Sequence, residues 1–200
     1  MLSLDPCIAT VNTHAYGAGM AERLNRMHWV RAGLAALSKS GVAAVGVEPL
    51  ARKLAVTKGS FYWHFADREA LLSAMIAEWE RAQTFAVIEE VEAAGANPSR
   101  RLEMLSASVE RLDMRLEMAV RAWGALEPKA RKAVARIDAT RLGYLQSIIE
   151  SAGVPKAAAE ARARLIYYAL IGHISSGAIG WRPKHREAAR LNRAMILAWP

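Results

Sequence analysis

Apolar residues recur along the chain at spacings of three and four positions, and no stretch of strand-like alternation of useful length is present. The first helix is predicted over about residues 21–40, with Val30, Leu34 and Leu37 on one stripe and Gly41 as its stop signal. Two short helices are predicted near residues 47–54 and 57–64. The pattern therefore predicts an all-α fold.

A long fourth helix is predicted from its cap at Asp67 to Gly95. Its inner face is expected to consist of Leu72, Met75, Ile76, Trp79, Ala82 and Ala86. Asn97-Pro98 supplies a cap and a first-turn proline for a fifth helix. Four more helices are predicted: one around residues 116–123, one from residue 128 to about 153, one over about 157–179 and one over about 186–199.

The helix predicted over about 157–179 is apolar on nearly every side between residues 165 and 174. Such a helix must be covered on two sides. Its own bundle can cover one side, and a second subunit can cover the other, where Gly172, Ser175, Ser176 and Gly177 permit close approach. A membrane hairpin is the competing interpretation, but the apolar run is too short to cross a bilayer.

The net positive charge per residue is highest near the N-terminus of a chain whose formal net charge is +8. Seven of its Lys and Arg residues fall within residues 20–66, against two acidic residues, Glu22 and Glu48. A basic segment of this kind favours a polyanion or an anionic membrane surface as partner. The single cysteine, Cys7, excludes an internal disulfide and a zinc site with several thiolates, and it fits the cytoplasm.

Residues 1–20 are predicted to form a flexible N-terminal tail, and Met20 and Met27 are alternative candidates for the initiating residue. No continuous apolar stretch of about 18 residues is present, so a membrane span is not expected. Of the two partner classes, the polyanion is preferred and no membrane partner is predicted.

Residues 47–65 form the segment in which most of the chemistry is concentrated. The two short helices predicted there meet at a tight corner, with these side chains inside: Leu50, Ala51, Leu54, Val56, Phe61 and Phe65. The second helix presents donors, a cation and aromatic rims on or near its free surface: Thr57, Lys58, Ser60, Tyr62, Trp63 and His64.

This mixture of side chains is typical of a recognition helix. Lys58 and His64 can bind phosphates, and Tyr62 can pack on a sugar or a thymine methyl group. Thr57 and Ser60 are short enough to reach base edges or phosphate oxygens. Gly59 leaves room for the backbone to approach DNA, and Arg68 can add a phosphate clamp at the start of the next helix.

The run Leu-Ala-x-x-Leu-Ala-Val-Thr-Lys-Gly-Ser-Phe-Tyr-Trp-His-Phe-x-Asp-Arg-x-x-Leu-Leu, residues 50–72, resembles the DNA-binding signature of the TetR family of regulators. The resemblance is close over residues 29–72 and extends beyond them only in helix number and length. It implies a helix-turn-helix over about 46–65 with DNA contacts from Thr57, Lys58, Gly59, Ser60, Tyr62, Trp63, His64 and Arg68. Many members have Thr as the cap of the second helix, whereas this chain has Gly46, so that side-chain cap is expected to be lost.

The resemblance also implies two parts: a DNA-binding head of three helices over residues 21–66 and a regulatory bundle over residues 67–200. The last two helices, about 157–179 and 186–199, would form the interface of a homodimer. Two heads would then bind a near-palindromic, double-stranded operator, and a small, largely apolar effector in the bundle would release it. The expected protein is a cytoplasmic repressor.

Seven residues of the bundle are candidates for lining the effector pocket, because Met and aromatic side chains adapt to apolar guests. They are Trp79, Phe85, Met104, Met118, Trp123, Tyr168 and His173. The alternative for each is an ordinary core position, and for His173 a hydrogen bond to a neighbouring carbonyl or hydroxyl. Asp138 and Arg141, three residues apart, are expected to form a surface ion pair.

No pattern in the sequence indicates catalysis. Cys7 lies in the predicted tail, and neither a Gly-rich phosphate loop nor a His-Glu-x-x-His motif is present. No catalytic residue, metal site or cofactor is therefore predicted. Two other classes of function remain as alternatives: a small-molecule-sensing bundle or scaffold whose head does not bind DNA, and a basic protein of membrane surfaces.

Overall fold

The computed structural model describes residues 24–176, 190 and 194–198, and every regular element in this part of the chain is helical. The predicted all-α class is confirmed. The predicted tail and most of the helix expected over 186–199 lie outside the described residues. The elements are α1 (Arg26–Ser40), a 3-10 turn (Val42–Ala44), α2 (Val47–Lys53), α3 (Lys58–Tyr62), α4 (Arg68–Glu80), a short π-helix (Arg81–Phe85), α5 (Ala86–Ala93), α6 (Pro98–Glu110), α7 (Met114–Leu126), α8 (Pro128–Ser151) and α9 (Lys156–Ser175). The short π-helix is called the π-turn below.

Local capping chemistry sets most of these boundaries. Asn25 begins α1 by accepting two backbone N–H groups, and Gly41, with φ +78°, ends it. Asp67 and Asn97 each accept a backbone N–H in the first turn of the helix that follows, as predicted for both. In the described residues no helix is both long enough and apolar enough to span a bilayer.

The predicted fourth helix is interrupted at its centre by the π-turn, which the sequence pattern did not indicate. One extra residue per turn rotates the inner face of the helix beyond that point. The predicted core positions Ala82 and Ala86 are consequently only half-buried. The buried residues in this stretch are instead Gln83, Thr84, Val87 and Val91. We refer to α4, the π-turn and α5 together as the linker helix.

Two apolar clusters fill the described part of the molecule. The first runs from the head into the bundle and includes Trp29, Leu37, Phe61, Leu72, Met75, Trp79, Val120, Trp123, Ala133 and Ile137. The second lies within the bundle and includes Val87, Val91, Leu102, Leu145, Ile148, Ile149, Ala159 and Ala163. Because α1 packs against both α4 and α7, the core of the head is continuous with that of the bundle.

A polar belt centred on Glu117 separates the two clusters along the linker helix and α8. Only 3% of Glu117 is exposed. Trp79 Nε1 donates to its Oε2 at 3.1 Å, and Arg121 Nε and Arg141 Nη1 each donate to its Oε1 at 2.9 Å. The buried carboxylate is thus neutralised by two guanidinium groups.

Arg141 also reaches the π-turn of the linker helix. Its Nε donates to Thr84 Oγ1 at 2.9 Å, and its Nη2 donates to the carbonyl oxygen of Gln83 at 3.2 Å. The belt therefore ties the irregular turn to α8 and, through Glu117, to α7.

The other half of the belt corrects a prediction. Asp138 does not pair with Arg141 but with Arg121, whose Nη2 and Nη1 donate to the carboxylate at 2.6 and 3.1 Å. Tyr167 of α9 donates its hydroxyl to Asp138 at 2.6 Å. Burial, together with this hydrogen bond, raises the pKa of Tyr167 to about 12. Both predicted partners are held by residues of other helices, which a spacing of three positions could not reveal.

Glu117→Ala is expected to lower the free energy of unfolding by about 3–5 kcal/mol, because it leaves two guanidinium groups in the bundle without their shared carboxylate. Urea denaturation at a fixed protein concentration measures this change. The matched control is Glu103→Ala, which breaks the exposed pair with Arg100 and is expected to cost less than about 1 kcal/mol. Equal losses in the two variants would contradict this account of the belt.

Candidate nucleic-acid interface

The corner between α2 and α3 is a Schellman motif with an alanine at its left-handed position. Ala55 has φ +55°. Its N–H donates to Arg52 O at 3.2 Å, and the N–H of Val56 donates to Ala51 O at 3.0 Å. Glycine usually occupies this position, since a side chain there costs roughly 1–2 kcal/mol. The sequence predicted the corner but not its left-handed residue.

An aromatic core beneath α3 fixes the orientation of that short helix. Phe61 is fully buried. Its ring lies edge-on to that of Trp29, with 5.2 Å between the ring centroids, and is stacked on that of Phe65, with 5.4 Å between the centroids. Leu50 and Ala51 of α2 are buried beside them. The inward positions predicted for these residues are confirmed, and the opposite side of α3 is consequently turned outward.

The outer side of α3 carries large exposed side chains. Trp63 is 88% exposed and Tyr62 is 60% exposed. Thr57, Lys58 and Gly59 are also exposed, and His64 is half-buried. We call this surface, Thr57 to His64 without Ser60 and Phe61, the recognition surface. It offers a cation, hydroxyl groups and flat apolar rims to a partner.

Ser60 departs from its predicted place on this surface. Only 5% of the residue is exposed, because it lies on the side of α3 that faces the head core. A contact from its hydroxyl to DNA would require a change at this point, and it stays a prediction.

Neither helix of the corner is capped by a side chain. Gly46 begins α2 without a side-chain hydrogen bond, as predicted from the absence of Thr there. Thr57 begins α3, and its hydroxyl makes no capping bond either. A Cβ built on Gly59 would meet only Thr57 Oγ1, at 3.5 Å. The N-terminal end of α3 is therefore open to close approach.

Arg68 is held by the head itself. Its Nε donates to Val45 O at 2.6 Å, and its Nη2 donates to Val42 O at 2.9 Å. These bonds join the 3-10 turn of the head to the first residue of the linker helix. The structure thus gives Arg68 a positioning contact, and the predicted phosphate contact remains a prediction.

Lys58 is paired with Glu48, which sequence reasoning did not single out as a partner. Lys58 Nζ donates to Glu48 Oε1, although the two residues are ten positions apart. The hydrogen bond and the charge of Lys58 hold the pKa of the Glu48 carboxyl below its usual value. The pair joins the first turn of α2 to the first residue of α3.

The seven candidate pocket residues do not share one site. Trp79 and Trp123 belong to the first apolar cluster, whereas Met104 packs against the second. Phe85 and Tyr168 are 44% and 52% exposed, and Met118 and His173 are half-buried. Two surface clefts, of about 510 and about 350 Å³, are lined by none of the seven.

Comparison with known proteins agrees with the geometry of the head. Residues 30–75 match the family model described as bacterial regulatory proteins, tetR family. No curated protein sequence matches the chain. The predicted resemblance to this family is confirmed.

Two solved structures share the fold over most of the chain. A transcriptional regulator from Rhodococcus sp. Rha1 is 21% identical with a TM-score of 0.67, over 88% of this chain and 100% of that one. NemR of E. coli, in its reduced form, is 20% identical with a TM-score of 0.68, over 88% of this chain and 98% of that one. The likeness extends beyond residues 30–75 into the bundle, and at this level of identity it concerns the fold.

Ala55→Gly is expected to stabilise the head by up to about 1 kcal/mol, since it removes the left-handed penalty and retains part of the entropy cost of glycine. Thermal unfolding measures the effect as a higher Tm. Ala135→Gly, at an exposed position inside α8, is the control and is expected to cost about 1 kcal/mol. A fall in Tm of the same size in both variants would rule out strain at Ala55.

Proposed function

We propose that this chain, a DNA-binding transcriptional regulator of the TetR type, is a cytoplasmic, ligand-responsive repressor that binds a near-palindromic operator as a homodimer. The observation that carries the proposal is the recognition surface: exposed polar and aromatic groups on a short helix, held outward by a buried aromatic core. It lies within the residues that match the family.

The proposed DNA contacts are Thr57, Lys58, Gly59, Ser60, Tyr62, Trp63, His64 and Arg68. Exposure favours the contacts from Thr57, Lys58, Tyr62 and Trp63. The open space at Gly59 favours a close approach of the phosphate backbone to the start of α3. A contact from Ser60 would require its side chain to leave its buried position. Arg68 needs no such change, because its side chain is 38% exposed and its Nη1 takes part in neither bond to the head.

An exposed apolar stripe on α9 supports a dimer. Leu165 is 73% exposed and Tyr168 is 52% exposed. Ala161, Ala169 and Gly172 are exposed along the same line at helical spacing. Large apolar groups beside small residues suit the packing of a second copy of α9. Two heads would then reach successive major grooves about 34–36 Å apart.

The polar belt supports a route from an effector to the head. A ligand in the bundle that displaced Arg141 would remove its bonds to Thr84 and to the Gln83 carbonyl, and so change the π-turn. The linker helix on the far side of that turn packs in the same apolar cluster as the head. Coupling of this kind is typically about 1–3 kcal/mol. Of the seven candidate pocket residues, Trp79 is the proposed neighbour of such a ligand, because it donates to the carboxylate that Arg141 also binds; contacts from the other six stay predictions.

The proposal is tested by selecting duplexes that the protein retains from a random pool and measuring their retardation in a gel at low salt. Tyr62→Ala is expected to weaken binding of the selected duplex by about 1–3 kcal/mol, which is about five- to 150-fold, without loss of helical circular dichroism, because Tyr62 is exposed. Leu126→Ala, at an apolar residue of α7 that is also more than half exposed, is the control and is expected to bind normally.

Absence of any retarded duplex at low salt would overturn the repressor function and favour a bundle whose head does not bind DNA. Flotation with anionic vesicles instead would favour a protein of membrane surfaces. Unfolding of the Tyr62 variant would place that residue in the core.

Leu165→Glu is expected to convert the homodimer to monomers, because a carboxylate would be buried in the proposed interface without a partner. Sedimentation velocity measures the change, and retardation of the selected duplex is expected to fall with it. Leu126→Glu introduces the same charge at an exposed residue outside the stripe and is expected to remain dimeric. A monomeric wild-type protein, or a dimeric Leu165 variant, would contradict the interface.

A further inference from the structure

Glu48 is the only acidic residue of the sequence between positions 24 and 66, where six basic residues occur. It is not at the edge of the basic region but in its middle. Its side chain is 63% exposed on the first turn of α2, and its carboxylate accepts a hydrogen bond from Lys58, the first residue of α3. A single negative charge therefore lies beside the recognition surface, in contact with its Lys58.

The pair removes part of the charge that the recognition surface would otherwise offer to DNA. Lys58 is 58% exposed, so solvent reaches it, and the Glu48 carboxylate is the hydrogen-bond partner of its ammonium group. Exposed pairs of this kind are weak and can exchange partners. A phosphate that approaches Lys58 competes with Glu48 for the ammonium group and is repelled by the neighbouring carboxylate.

This repulsion weakens binding to DNA of arbitrary sequence more than it weakens binding to an operator. Binding to arbitrary sequence rests almost entirely on the neutralisation of phosphates. The ion pair therefore reduces this binding directly, because Lys58 is already partly neutralised and Glu48 repels phosphate. Binding to an operator also rests on short-range contacts to base edges, which depend on where the groups at the start of α3 lie. A carboxylate can itself accept a hydrogen bond from the amino group of a cytosine.

We infer that Glu48 is a specificity-determining residue: by pairing with Lys58 it suppresses binding to non-operator DNA and positions the lysine for the operator. The inference rests on the proposed DNA-binding function and adds a residue that acts against the wrong sequences. Glu48 acts here through Lys58 and is in that sense a positioning residue.

A purely structural role for Glu48 predicts a different behaviour. An acidic residue in the first turn of a helix stabilises the positive end of the helix dipole, and Glu48 occupies such a position in α2. Loss of that contribution would lower Tm and change binding to all duplexes in proportion to the folded fraction. It would not change the salt dependence of binding.

The experiment compares wild type, Glu48→Gln, Lys58→Gln and the double variant on two duplexes of equal length: the one selected by wild type from a random pool and one of scrambled sequence. Kd is measured from about 50 to about 200 mM KCl. Glu48→Gln is expected to bind the scrambled duplex about three- to tenfold more tightly, with a salt slope steeper by about 0.9 per head. Its gain on the selected duplex is expected to be smaller, so that the ratio of the two affinities falls.

The double variant tests whether Glu48 acts through Lys58. In the Lys58→Gln background, Glu48→Gln is expected to give less than half of its gain on the scrambled duplex. Glu103→Gln removes the acid of another exposed pair, on α6 of the bundle, and is expected to leave both Kd values unchanged. Tm of each variant shows that the compared proteins are folded.

Each other result overturns the inference. An unchanged Kd and slope for Glu48→Gln on the scrambled duplex would show that the carboxylate does not oppose phosphate. A full gain in the Lys58→Gln background would replace positioning by simple repulsion. If wild type binds the selected duplex while these effects are missing, only the role of Glu48 fails; if wild type binds neither duplex at 50 mM KCl, the proposed function fails with it.

Discussion

The buried carboxylate of Glu117 is the point at which three helices of this molecule are joined. A carboxylate that is 3% exposed must be matched by charge and by hydrogen-bond donors, because an unpaired buried charge costs several kcal/mol. Its donors are Trp79 on α4, Arg121 on α7 itself and Arg141 on α8. Since each donor reaches the carboxylate from one position only, the register of these helices is fixed more sharply than apolar packing alone would fix it.

The π-turn of the linker helix follows from the same constraint. A π-helix is rare and occurs mostly as a single turn inside an α-helix, as it does here. Arg141 supplies two such bonds, to Thr84 Oγ1 and to the Gln83 carbonyl. The Oε1 atom of Gln83 is nevertheless buried without a hydrogen-bond partner among the described residues. Arg141 thus adds two bonds from α8 to the turn, at the boundary between the cluster shared with the head and the cluster of the bundle.

Local signals in the sequence predicted the helices and their ends, and long-range contacts account for what they missed. Asn97, Asp67 and Gly41 act within a few residues of their own positions, so their chemistry can be recognised in the sequence. The inner positions of α2 and α3 follow from helical spacing in the same way. The partners of Arg141 and Asp138 come from other helices, 17 to 58 positions away. The π-turn is bonded to one of those residues, Arg141. The left-handed conformation of Ala55 could not be predicted, because glycine is the residue that signals this conformation in a sequence.

The ion pairs of the head and of the bundle differ in how strongly they hold their partners. In the bundle, Glu117 and its guanidinium partners are shielded from water, so separating them leaves an uncompensated charge and the arrangement holds as a unit. On the head, Glu48 and Lys58 are both more than half exposed, and water and salt make their pair weak. A phosphate can therefore compete for Lys58, whereas no solvent ion competes readily for Arg141. The two proposals therefore rest on different kinds of ion pair: regulation of DNA affinity on an exposed pair that exchanges partners, and transmission from the bundle on a buried group that does not.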